Sequence, residues 1–84
     1  GIYLITSTVR SVGLTVADNT TTETGGGIEV YMTSLLLAKD LIITGNSAKH
    51  TGGIYVNSSQ VSLENVDVNK NTASTGGAGG MTIY

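Results

Sequence analysis

Gly1-Ile2-Tyr3-Leu4, Gly27-Ile28-Glu29-Val30 and Gly53-Ile54-Tyr55-Val56 open alike, 26 residues apart each time, and Gly80-Met81-Thr82-Ile83 follows 27 residues after the third. Self-similarity at a fixed period of this size marks a chain built from one repeated supersecondary unit. The units are 1–26, 27–52 and 53–79, with the start of a fourth at 80–84, and together they make one solenoid segment of 1–84.

Working outward from the glycines, apolar residues fall into columns. Ile2, Ile28, Ile54 and Met81 share one, and Leu4, Val30, Val56 and Ile83 another. Val9, Leu35 and Val61 form a third. Leu14, Leu41 and Val66 form a fourth once a one-residue insertion is placed in the second unit, and Val16, Ile43 and Val68 a fifth. Inside each unit the apolar residues alternate with polar ones, as Val66 and Val68 do around Asp67. Period two is the signature of a strand. The pattern predicts short strands near 2–5, 8–11 and 14–17, then 28–31, 34–37 and 41–44, then 54–57, 60–63 and 66–69. Three short strands per coil, stacked in register at about 4.8 Å, describe an all-β parallel β-helix. Parallel crossovers favour the right hand.

A helical solenoid fails on consistency. Leu35-Leu36-Leu37-Ala38-Lys39 would start a helix, but the matching Val9-Arg10-Ser11 and Val61-Ser62-Leu63 would not. The calcium-binding nonapeptide helix needs an Asp after its glycines, where Gly76-Gly77-Ala78-Gly79-Gly80 is followed by Met81. Threonine does not recur in outward columns, as an ice-binding face requires.

Composition narrows the rest. Net charge is −2 and no basic run occurs, which removes the electrostatic footprint of a nucleic-acid binder. Cysteine is absent, so neither disulfides nor thiolate metal sites are available. No apolar run is long enough to span a bilayer as a helix, and no secretory leader is visible in the segment.

Asn19, Asn46 and Asn71 each stand three residues after the last inward apolar residue. Asn tolerates left-handed turns, and stacked amides bond along an axis, so an internal Asn ladder is expected. The stretches that follow, Thr20–Gly25, Ser47–Gly52 and Thr72–Gly79, vary in length and are expected to be exposed loops.

Gly25-Gly26-Gly27-Ile28, Gly52-Gly53-Ile54 and Gly79-Gly80-Met81 resemble the Gly-Gly-Ala-Ile repeats of polymorphic outer-membrane proteins and autotransporter adhesin passengers. Val16-Ala17-Asp18-Asn19, Ile43-Thr44-Gly45-Asn46 and Val68-Asn69-Lys70-Asn71 resemble their Phe-x-x-Asn motif, with an aliphatic residue in place of Phe. The resemblance implies an extracellular or cell-surface passenger segment and supplies no active site.

No catalytic constellation is visible. The acidic residues Asp18, Glu23, Glu29, Asp40, Glu64 and Asp67 pair in no column, as the carboxylates of a glycosidase or of a pectate-lyase-like β-helix would be expected to. His50 is the single histidine, and no metal, cofactor or phosphate loop is expected. Sequons occur at Asn19-Thr20-Thr21 and Asn57-Ser58-Ser59, with Asn57 the better glycan acceptor because Asn19 belongs to the ladder. Tyr3, Tyr31, Tyr55 and Tyr84 are expected to point outward, as a surface for sugars or a neighbouring subunit. No cap is evident at either end, and solenoids ordinarily need one. The expectation is therefore a structural segment of an extracellular fibre, stalk or adhesin passenger. It would stack end to end or belong to a longer solenoid. The alternative is a carbohydrate-binding or carbohydrate-active β-helix whose active residues lie elsewhere.

Overall fold

The computed structural model describes all 84 residues, Gly1–Tyr84. It contains no helix and forms a β-solenoid of about three turns. One face is a four-stranded parallel sheet made of β1 (Ile2–Ile5), β4 (Ile28–Tyr31), β7 (Ile54–Asn57) and β10 (Met81–Ile83), adjacent in that order. Ile2 pairs Ile28, Ile28 pairs Ile54 and Ile54 pairs Met81, so each glycine-led start lies directly on the next.

The second sheet contains β2 (Thr8–Val12), β3 (Thr15–Ala17), β5 (Leu35–Thr44) and β8 (Gln60–Asn69). Here the separate strands expected at 34–37 and 41–44, and at 60–63 and 66–69, are single ten-residue strands, β5 and β8. Each turns a corner on one left-handed residue, Asp40 (φ 55) or Asn65 (φ 56), while Gly13 (φ 71) does the same between β2 and β3. A one-residue corner bends the strand without ending its ladder, which is why the sequence pattern breaks there but the pairing does not.

A third, short ladder joins β6 (Ser47–Ala48) to β9 (Thr72–Ala73), with a bridge from Thr20 to Ser47. The stretches expected to be loops after each Asn therefore begin as stacked strand. Their length differences sit further on, before the next glycine.

The third apolar column is corrected by one residue. Val9 pairs Leu36, and Leu36 pairs Val61. Leu36 is 2% exposed, whereas Leu35 is only half-buried. The extra residue of the second coil lies earlier than expected, in the turn where Met32 (φ 54) and Thr33 (φ 63) are both left-handed; the other coils use Thr6 or Ser58 alone.

The core is a single apolar column set running up the axis. Ile28, Val30, Leu36, Ala38, Leu41 and Ile43 of the middle coil are all buried, together with Leu4 and Val16 of the first coil and Ile54 and Val56 of the third. Gly27 lies so close to the next coil that a Cβ there would come within 2.7 Å of the Gly53 oxygen and of Ile43 Cγ2.

Candidate functional site

Two polar ladders fix the coils along the axis. Asn46 is fully buried. Its Oδ1 accepts from the Asn19 backbone N–H at 3.0 Å and from Asn19 Nδ2 at 2.9 Å. Its Nδ2 donates to Val16 O, Thr44 O and Asn71 Oδ1 at 3.0, 3.2 and 2.9 Å. Asn71 repeats the arrangement, accepting from Asn46 N–H and donating to Ile43 O. The three amides expected to stack are thus one connected network, with every polar atom of the central member in use. Asn19 Nδ2 is committed to Asn46 Oδ1 and Ala17 O, so glycosylation at Asn19 would cost at least one of these two hydrogen bonds.

The second ladder is formed by serines, and sequence reasoning missed it. Ser7 N–H donates to Ser34 Oγ and Ser34 N–H donates to Ser59 Oγ, at 3.1 and 3.0 Å. Each hydroxyl is aimed by donating to a carbonyl just behind it, that of Ile5, Tyr31 or Asn57. The signal was present in the chain. Ser7 to Asn19, Ser34 to Asn46 and Ser59 to Asn71 are each 12 residues apart, a constant spacing that the insertion at Met32-Thr33 precedes. Both ladders follow a left-handed residue: Thr6, Thr33 and Ser58 before the serines, Asp18, Gly45 and Lys70 before the asparagines.

The lateral surface carries the other candidate site. All four tyrosines lie on the outward side of the β1-β4-β7-β10 sheet or at its edge. Tyr3, Glu29, Tyr55 and Thr82 form one axial row by register. Tyr3 is 56% and Tyr84 75% exposed, while Tyr31 and Tyr55 are half-buried. Tyr84 meets Tyr55 edge-on, with ring centroids 5.7 Å apart.

Two clefts of about 430 Å³ each flank this row. One lies between Tyr3 and Glu29 and the segment Thr20–Gly26. The other is lined by Thr24, His50, Tyr55, Ala78, Thr82 and Tyr84. They share Thr24, whose hydroxyl donates to the Glu29 carboxylate. Deeper in, Thr51 is buried and its hydroxyl shares a 2.8 Å hydrogen bond with that of Thr82. His50 lies at the rim, with Nδ1 3.2 Å from the Thr75 hydroxyl.

Asn57, the favoured sequon residue, is half-buried at the end of β7, where its Nδ2 donates to the Tyr55 hydroxyl. Nowhere do three His, Cys, Asp or Glu side chains come together as a metal site would need, and no helix is long and apolar enough to cross a membrane. Comparison of the chain with protein-family models, with curated proteins and with solved structures returned no match.

Proposed function

We propose that these coils are a structural β-solenoid segment of an extracellular fibre, stalk or adhesin passenger, with further coils of like pattern seated on their axial faces. The observation that carries the reading is the gradient of burial along the axis. Leu36, Ala38, Leu41 and Ile43 of β5 are buried, while their counterparts Val61, Leu63, Val66 and Val68 on β8 are each only partly buried, as are Ile2, Val9 and Leu14 of the first coil. Leu4 and Val16 are the buried exceptions in the first coil, and the middle coil alone has all six of its inward apolar residues buried. Completing the burial of the four β8 side chains is worth on the order of 1–4 kcal/mol in apolar area.

The ladders support the same reading through their direction. Every rung runs from a backbone N–H to a side-chain oxygen one coil further on. The first-coil face thus presents Ser7 Oγ and Asn19 Oδ1 as free acceptors, and the third-coil face presents the Ser59 and Asn71 N–H groups as free donors. The two faces are complementary, so coils of like pattern continue both ladders, and between copies of this chain the contact propagates as a filament only where β10 leaves the β7 edge. On β7, Met81–Ile83 already occupies the position that the first strand of an added coil takes.

The Gly-Gly and Val/Ile-x-x-Asn motifs support likeness to the polymorphic outer-membrane passengers, with an N-linked glycan at Asn57 in a secreted setting. Sedimentation velocity across a wide concentration range tests the axial contact. Concentration-dependent assembly is expected, and a monodisperse monomer at millimolar concentration would contradict it.

A further inference from the structure

The geometry points to a binding groove for an extended, uncharged polysaccharide chain along the Tyr3-Glu29-Tyr55-Thr82 row, parallel to the solenoid axis. The two clefts follow one another along the row, with Tyr3 and Glu29 at the first and Tyr55 and Thr82 at the second, and they share Thr24. Tyr3 and Tyr55 are two strand spacings apart, about 9.6 Å, which is about the length of a disaccharide unit in an extended chain. A pyranose ring has an apolar C–H face that stacks on an aromatic ring and a belt of hydroxyls that need both donors and acceptors. Tyrosine supplies the ring and a polar tip. Between and beside the rings stand the Glu29 carboxylate, an acceptor, and the Thr24, Thr82 and His50 side chains, which donate and accept.

Charge selects among glycans. Glu23 and Glu29 both line the first cleft, where the Gly1 amino group is the one cation against two carboxylates, and neither cleft contains a Lys or Arg. A uronate or sulfated chain would bring like charge against these carboxylates. A neutral chain would instead use Glu29 as a hydrogen-bond acceptor that Thr24 already holds in place. Tyr31 lies on the same sheet but pairs into the neighbouring row with Ile5 and Asn57, and lines neither cleft, so it takes no part.

Isothermal titration calorimetry of the full chain with cellohexaose, xylohexaose, mannohexaose and hexagalacturonate provides the test. At least one neutral hexaose binds and hexagalacturonate does not. Tyr3→Ala and Tyr55→Ala each weaken that binding about tenfold, and Tyr55→Phe and Tyr31→Ala leave it within about twofold. Far-UV circular dichroism checks that Tyr55→Ala remains folded, and Tyr3, more than half exposed, gives the same reading where it does not. The proposal is overturned if no neutral hexaose binds at millimolar concentration. It is equally overturned if hexagalacturonate binds as well as the neutral chains, or if Tyr31→Ala costs as much as Tyr3→Ala. None of these results bears on axial stacking, which uses other faces.

Discussion

Replacing Asn46 by Ala is the most searching perturbation of the ladder. The side chain holds five hydrogen bonds in a site with no solvent access. Its removal leaves the Asn19 N–H without its acceptor and takes a donor from the Val16 carbonyl, while Thr44 O keeps the Asp18 N–H, Asn71 Oδ1 keeps the Asn46 N–H and Asn19 Nδ2 keeps Ala17 O. A buried group stripped of its partner costs about 1–3 kcal/mol. With the Asn19 N–H stranded, the Val16 carbonyl short of a donor and a small cavity left by a fully buried side chain, the loss is about 2–4 kcal/mol. A domain of this size has about 4–12 kcal/mol in total, so the variant loses a large share of its stability. Asn71→Ala strands the Asn46 N–H and Ile43 O at a half-exposed position and costs about 2 kcal/mol. Asn19→Ala strands no buried group, because Asn46 Oδ1 still accepts from the Asn19 N–H, and costs about 1 kcal/mol or less. Urea unfolding followed by far-UV circular dichroism measures all three. Equal losses for the three variants, or a loss below about 1 kcal/mol for Asn46→Ala, would refute the reasoning that the middle rung is the one sealed from water.

The corrected register makes Leu36→Ala cost about 2–4 kcal/mol and Leu35→Ala no more than about 1, and the reverse order in denaturant titrations would restore the column first read from the sequence. Gly27→Ala forces a Cβ into the Gly53 oxygen and Ile43 and loses about 1–3 kcal/mol, while Gly80→Ala, which meets nothing within 4 Å, stays within about 0.5; thermal melts of the pair decide it. Ser11 Oγ is buried with no partner, so Ser11→Ala holds or raises stability by about 1 kcal/mol, and a clear loss in the same melts would mean that the hydroxyl has a partner after all.

The coil was legible because stacking one unit on the next imposes the same demand at the same place. Ile2, Ile28, Ile54 and Met81 had to be apolar, and Asn46 had to be a side chain able to fill a buried turn with donors and acceptors together. The same logic explains the resemblance motifs. Gly27 and Gly53 are where adjacent coils touch backbone to backbone, and Asn46 and Asn71 form the ladder. Those residues are what the geometry of such a coil requires, so they support the solenoid more strongly than they support any one family. What escaped the reading was local. A single left-handed residue at Asp40 or Asn65 turns a corner with no glycine or proline to mark it. Leu35-Leu36-Leu37 offers three equivalent hydrophobes, so the pattern alone cannot say which faces inward. The Ser7-Ser34-Ser59 ladder was hidden among many serines and threonines, and only its constant distance to the Asn column distinguishes it. The pair of clefts along Tyr3 and Tyr55 depends on residues from Thr20–Gly26 and from His50 standing beside the sheet, a juxtaposition that strand periodicity does not encode.

The chain measures 29 × 24 × 16 Å, wider than its three layers are tall. Electron microscopy of the native particle, with diffraction from any aligned fibres, tests the central claim most directly. Continuous axial stacking gives filaments about as wide as this cross-section, with a strong repeat near 4.8 Å along the fibre axis. A short discrete particle, with no density continuing across the β8 edge, would contradict it.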